Sequence, residues 1–346
     1  MNPITLLLLI LSLTLGTTIT LSSFHWLLAW AGLELNTLAI IPLISKQHHP
    51  RATEAATKYF LTQATASTLI ILASSTNAWK TGQWDISQLS TPTSTMIITL
   101  ALAMKLGLAP FHFWFPEVLQ GSTLPIAMII STWQKLAPTM LLYMTMHSLN
   151  KPTLLTLGLT STLLGGWAGL NQTQTRKIMA FSSIAHMGWM FTRLALNQNL
   201  TIMTLMIYLV LTSTMFMTIT MTTSKTLQDL GTTYSMSPTL LSTTMLTLMS
   251  LGGLPPLTGF LPKWLILKEL ISNELLTISI LMALSALPSL FFYLRMSHMT
   301  TLTIPPNTTN SHYQWRLKTQ NFPATSILLI LANFLLPIAP MMTNIC

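Results

Sequence analysis

The chain has 346 residues, 51% of them hydrophobic and only 7% charged. Soluble domains carry about 25% Asp, Glu, Lys and Arg, so the composition excludes a soluble globular protein. Sixteen Lys and Arg against seven Asp and Glu give a net charge of +9; because the excess sits in short connectors between apolar runs, it signals membrane topology and not a nucleic-acid surface.

The first apolar stretch, MNPITLLLLILSLTLG, lacks the basic n-region of a signal peptide and the Arg-rich character of a presequence, and is expected to stay in place as a membrane helix. Windows long and apolar enough to cross a bilayer follow from end to end, near 3–22, 25–44, 55–78, 93–120, 124–146, 153–172, 175–194, 199–222, 237–270, 276–297 and 323–343. The prediction is an all-α membrane protein of about eleven transmembrane helices. The one long connector, roughly 298–322, is polar and broken by Pro305 and Pro306.

With an odd number of spans the termini lie on opposite faces. Lys46, Arg51, Lys58, Arg176, Lys177, Lys225, Arg295, Arg316 and Lys318 fall near the face of the N-terminus, against Lys80, Lys151, Arg193 and Lys268 on the other. The positive-inside rule then places the N-terminus inside and Cys346 outside.

Two windows are too long for one straight helix and carry helix breakers: MKLGLAPFHFWFPEV (104–118) and SLGGLPPLTGFLPKW (250–264). A shift of 146 residues superimposes Gly107 on Gly253, Leu108 on Leu254, Pro110 on Pro256 and Pro116 on Pro262. The predicted hinges are Gly107 and Pro110 in the first break, and Gly252, Gly253, Pro255 and Pro256 in the second. The expected organisation is a five-helix repeat over 1–150, a second over 151–298, and a connector with a terminal helix over 299–346. Because five is odd, the second copy enters from the opposite face. Inverted repeats with matching broken helices are a transporter signature, although Pro and Gly also kink many membrane helices without consequence.

A charge at the bilayer centre costs roughly 2.5–3.5 kcal/mol, and four occur deep in the windows: Glu34, Lys105, Lys135 and Lys263. They must face one another, water or a partner chain. Ion pairing that merely holds the bundle accounts for Glu34 with Lys105, but does less well for Lys135 and Lys263. With Glu269 at the membrane-face end of 237–270 set aside, Glu117 is the only other acid expected within a span, so three lysines face two acids. A desolvated lysine can give up its proton and a nearby carboxylate draws it back, which makes such a residue a candidate proton carrier. His112 and His186 are further relay candidates, since imidazole donates at one nitrogen and accepts at the other; a hydrogen-bonded structural histidine is the alternative for each. Glu54 and Lys58 have the order of a surface i, i+4 pair.

The sequence has one cysteine, the terminal Cys346, and neither a GxGxxG nor a Walker A loop. No cysteine-ligated metal or iron–sulfur site, and no nucleotide or other cofactor site, is expected in this chain. An ion gradient or a partner must supply the energy for any uphill transport.

The segments MKLGLAPFHFWFPEV, TWQKLAP (132–138), ATEAATKYFLTQA (52–64), GLNQTQTRKIMAFSSIAHMGWM (169–190) and MSLGGLPPLTGFLPKW (249–264) resemble the subunit 2 family of vertebrate mitochondrial NADH dehydrogenase, complex I, over essentially the whole chain. The resemblance implies a core subunit of the proton-pumping arm, multi-pass in the mitochondrial inner membrane, with the N-terminus in the matrix and the C-terminus in the intermembrane space. It implies a non-redox part of the NADH:ubiquinone reductase, inactive when isolated. NADH, FMN, iron–sulfur clusters and ubiquinone would be held by other subunits. It makes Glu34 the acidic partner of Lys105, Lys135 the connecting lysine and Lys263 the terminal lysine, with His112 and His186 along the hydrated axis. Partners would be other membrane-arm subunits, neighbouring antiporter-like ones included, and the bilayer with its cardiolipin, but no nucleic acid. A free-standing cation/proton antiporter and a scaffold between pumping subunits are the competing readings.

Overall fold

The computed structural model describes residues 2–45, 49–232, 238–302 and 323–338. Lys46, His48, Pro305, Pro306, Arg316, Lys318 and Cys346 lie outside the described residues, and with them the central part of the predicted connector. The described residues are helical throughout, apart from short loops and two isolated β-bridges. Among them, four helices are long and apolar enough to cross a membrane: Pro3–Ser22, Trp26–Ile44, Leu200–Thr222 and Leu276–Thr301. They form two compact units that divide between residues 160 and 161.

In the first unit, α1 (Pro3–Ser22), α2 (Trp26–Ile44) and α3 (Pro50–Thr81) precede a span broken into α4 (Pro92–Leu106) and α5 (Trp114–Gly121). Proline at N1 or N2 starts α1, α3 and α4, where its missing N–H costs nothing. The next window is itself interrupted: α6 (Leu124–Ser131), a 3-10 turn (Trp133–Lys135) and α7 (Leu136–Thr145) replace the continuous helix predicted over 124–146. The cause lies in the sequence. Pro138 has no N–H to bond the Gln134 carbonyl and its ring crowds that carbonyl, so the turn before it tightens around Lys135.

The division between the units falls within α8 (Lys151–Gly169). The second unit continues with α9 (Thr175–Leu194), α10 (Gln198–Thr222), a short α11 (Leu227–Thr232), the second broken pair α12 (Pro238–Gly252) and α13 (Phe260–Ser272), α14 (Leu276–Leu302) and α15 (Pro323–Phe334). Helix α11 was not predicted. It is capped reciprocally: the Asp229 carboxylate accepts from the backbone N–H groups of Thr226 (2.9 Å) and Lys225 (3.1 Å), and the Asp229 N–H donates to the Thr226 hydroxyl. The Thr226 N–H holds the Asp229 carboxyl below the usual carboxylate range.

Three local devices recur in both units. First, helices pack through glycine. A methyl on Gly16 of α1 would collide with Asn36 of α2, and one on Gly165 of α8 would lie 2.8 Å from the Ala185 nitrogen of α9. Second, the entry to the second helix pairs with the loop after the third. His25 bridges Asp85 and Gln174 bridges Thr226, each through two backbone bonds: Trp26 N–H to Trp84 O and Ile86 N–H to Phe24 O, then Thr175 N–H to Lys225 O and Leu227 N–H to Thr173 O. Third, the first half of each broken span ends on a glycine with positive φ, 73° at Gly107 and 85° at Gly253. The residue after it closes a six-residue ring, Leu108 N–H to Ala103 O at 3.0 Å and Leu254 N–H to Met249 O at 3.3 Å, which is the Schellman closure that satisfies orphan carbonyls at a helix end.

Candidate functional site

The first unit gathers its buried polar groups beside the first break. Lys105 is in the last turn of α4, 7% exposed, and Lys135 sits on the 3-10 turn, 3% exposed. Both line a cavity of about 10 Å³, with Thr37, Tyr59, Gln63 and Gln134 among its other walls. That volume admits about one water. Lys135 Nζ stands 4.9 Å from the centroid of the Phe115 ring, a cation–π distance. Among the described residues, Lys105 Nζ has no hydrogen-bond partner. Such a buried donor is costly unless water or a moving group serves it.

Glu34 is on α2 and partly exposed; its carboxylate accepts from the Thr37 hydroxyl at 2.7 Å. Thr37 is also a wall of the lysine cavity, so the acid reaches the cavity through one hydroxyl. The ion pairs within 4.0 Å among the described residues do not include Glu34 with Lys105. Glu117, counted in the sequence as an in-membrane acid, instead turns outward and bonds Lys58 at 2.6 Å, with half of its side chain exposed. Lys58 also pairs with Glu54, as its i, i+4 spacing predicts, and that bond holds the Glu54 carboxyl below its ordinary range. His112 is buried against the Phe113 ring, its Nδ1 without a partner among the described residues.

The second unit builds its site on the second break. Lys263, three residues past the start of α13, reaches back and donates from Nζ to the Gly252 carbonyl at 2.8 Å. A carbonyl at the end of α12 carries the negative pole of the helix dipole, so the ammonium is held by a helix end and not by an acid. The side chain lies across Gly253, where a methyl would stand 3.0 Å from Lys263 Cδ and 3.1 Å from Nζ. Glycine is required there twice, by its positive φ and by the lysine over it.

Lys263 lines a cavity of about 30 Å³ together with His186, Trp189, Thr204, Tyr208 and Ile266. It is room for a couple of waters. The Tyr293 hydroxyl is 3.3 Å from His186 Nε2, and the His186 ring lies 5.7 Å from that of Tyr208. His186 therefore shares the site with Lys263. Tyr59, Tyr208 and Tyr293 were not singled out in the sequence, since tyrosines in apolar windows look like interfacial belt residues.

Arg193 also departs from its reading as a connector charge. It is fully buried at the end of α9, 3.7 Å from Glu269 of α13. Among the predicted hinges, Gly107 and Gly253 are the positive-φ residues that end α4 and α12 and Gly252 offers the carbonyl that Lys263 bonds, while Pro110 lies in the linker between α4 and α5 and Pro255 and Pro256 in that between α12 and α13. No group of three or more His, Cys, Asp or Glu suited to a metal ion occurs among the described residues.

Residues 23–288 match the family described as NADH:quinone oxidoreductase/Mrp antiporter, TM, and residues 290–343 match NADH dehydrogenase subunit 2 C-terminus. The chain is 55% identical to the NADH-ubiquinone oxidoreductase chain 2 of Coturnix japonica over 345 residues, with all of both chains covered. Its counterpart of the same name in Gallus gallus is 56% identical, with 99% of each chain covered. Among solved structures, a chain of respiratory complex I from Thermus thermophilus superimposes with a TM-score of 0.83 at 26% identity, covering 98% of this chain and 80% of that one. A chain of the Mrp complex from Dietzia sp. does so with a TM-score of 0.82 at 16% identity, covering 97% and 75%, a likeness of fold alone.

Proposed function

We propose that this chain, which belongs to the NADH:quinone oxidoreductase/Mrp antiporter transmembrane family, is a membrane-arm proton-pumping subunit of NADH:ubiquinone oxidoreductase and moves protons through its buried lysines. One observation carries the reading: each broken span places lysine at a water-sized cavity, Lys105 and Lys135 in one unit and Lys263 in the other. Lysines can load and unload protons there because the cavities admit water and little else.

The division of labour follows from the contacts. In the first unit the Glu34 carboxylate acts on the cavity through Thr37, so a change at Glu34 alters which of Lys105 and Lys135 holds the proton. In the second unit Lys263 is poised between the Gly252 carbonyl and the water space shared with His186; rotation of its flexible stem exchanges one for the other. His112, with an unsatisfied Nδ1, is the weaker relay candidate. Coupling to quinone chemistry needs a bistable element, and the two glycine-terminated breaks supply it.

The three recurring devices support a pair of inverted five-helix repeats with one additional helix, about eleven spans in all. That arrangement, with the charge balance of the connectors, puts the N-terminus in the matrix and Cys346 in the intermembrane space of the inner mitochondrial membrane. The chain carries no redox cofactor, and NADH, FMN, iron–sulfur clusters and ubiquinone are served by other subunits. Its partners are neighbouring membrane-arm subunits and the bilayer, cardiolipin included.

The test is pumping by assembled enzyme in proteoliposomes. Lys135→Met and Lys263→Met should assemble and each reduce protons moved per NADH oxidised. Unchanged stoichiometry in both would refute the relay and favour a scaffold.

A further inference from the structure

Arg193 and Glu269 form a charged pair that the relay does not use. The guanidinium is 0% exposed, and among the described residues none of its three nitrogens has a hydrogen-bond partner. Its nearest acid oxygen, Glu269 Oε1, is 3.7 Å away, beyond hydrogen-bond range. Oε1 accepts instead from Asn197 Nδ2 at 3.2 Å, and Oε2 is buried without a partner among the described residues. A pair kept only to hold two helices together repays its desolvation through close geometry and satisfied hydrogen bonds. This pair has neither.

Its placement points elsewhere. Arg193 is two turns past His186 on α9, and Glu269 is on α13, the helix that carries Lys263 and Ile266 into the cavity. The Glu269 side chain is 20% exposed, so one carboxylate touches both the protein interior and the outer surface. Of the other charges on these two helices, Arg176 and Lys177 lie at the opposite end of α9, Lys268 is exposed beside Trp264, and Lys263 and His186 line the cavity.

We infer that Glu269 is the proton-release group of the second unit, with Arg193 and Asn197 as its positioning residues, an inference that rests on the lysine relay proposed above. A proton delivered through water from the Lys263 cavity forms an O–H bond at Oε2, neutralising the carboxylate. Rotation of the neutral carboxyl turns the hydroxyl toward the exposed side where Asn197 sits, the O–H bond breaks as the proton passes to water on the outer face, and the pair with Arg193 is restored.

The direct test is the infrared difference spectrum of assembled enzyme on turnover. A protonated-carboxyl band is expected, shifted in Glu269→Asp, which keeps the charge, and lost in Glu269→Gln; no band, or one that neither variant moves, would overturn the inference. Pumping gives the second readout. The double variant Arg193→Met with Glu269→Gln removes both charges, so it should assemble at least as well as either single variant, yet move fewer protons per NADH. Full stoichiometry in the double variant, with Lys263→Met impaired, would make the pair structural and leave the relay standing. Full stoichiometry in Lys263→Met as well would sink the relay itself.

Discussion

The two breaks share a backbone and differ in what covers it. Gly107 and Gly253 end their helices in the same left-handed turn with the same six-residue closure. Yet Gly107 is overlaid by the Phe115 and Trp114 rings, and Gly253 by the stem of Lys263. The 146-residue shift aligns Lys263 with Glu117, which faces outward to Lys58. The helix ends match while the titratable groups around them differ: Lys105 and Lys135 line the cavity of the first unit, and Lys263 bonds a helix end in the second. The same kind of helix end thus carries different charges according to the sequence that follows it.

The contrast is sharpest six residues past each hinge glycine. Gly259 packs so tightly on the Ser250 carbonyl that no side chain fits between α12 and α13, whereas Phe113, its counterpart under the same shift, is 73% exposed. Gly259→Ala should therefore be the most damaging change, with the assembled complex largely lost on native gels, while Phe113→Ala should assemble normally. Equal behaviour would mean the two breaks are closed alike.

Next in size are the hinge glycines. Alanine at either position pays about 1–2 kcal/mol for its left-handed backbone, but only Gly253→Ala also presses on Lys263. Both variants should lower assembly moderately, and among assembled complexes Gly253→Ala should lose more protons per NADH than Gly107→Ala. The reverse order would place the working lysine in the first break.

Glu34→Gln tests an acid whose counterpart under the same shift is Ala180. The amide keeps the Thr37 hydrogen bond and should leave assembly intact while reducing quinone reductase activity coupled to pumping. Unchanged activity and stoichiometry would remove Glu34 from the relay.

The smallest effect is at the α11 cap in the second unit's connector. Its folded carboxyl lies below the ordinary value, so the cap's contribution is complete above an unfolded value of about 3.9 and is lost as pH falls through the folded one. Amide exchange at Lys225 and Thr226 should speed up a few-fold in Asp229→Asn at neutral pH, with no change in pumping.

Glycine and proline made the breaks legible in the sequence, because few other residues end a helix in apolar surroundings. The burial of Lys105, Lys135 and Lys263 was legible for the same kind of reason, each being expensive where it stands, whereas Glu34, placed as deep by its position in the window, is partly exposed. The turn at Lys135 was not legible, since one proline in an apolar window reads as a kink. Nor were Tyr208 and Tyr293, whose hydroxyls gain meaning only beside His186. Arg193 was misplaced among the connector charges because burial at a helix end depends on a distant helix, α13, that the local sequence does not reveal.

The central claim, that Lys263 releases a proton and is not a fixed charge on the α12 end, is tested most directly by proton pumping in Lys263→Arg and Lys263→Met complexes in proteoliposomes. Arginine preserves the charge beside Gly252 but stays protonated at any accessible pH. The account predicts that both variants assemble and that both pump fewer protons per NADH, with arginine no better than methionine. Near-normal pumping by the arginine variant alone would show that the charge matters and its proton does not.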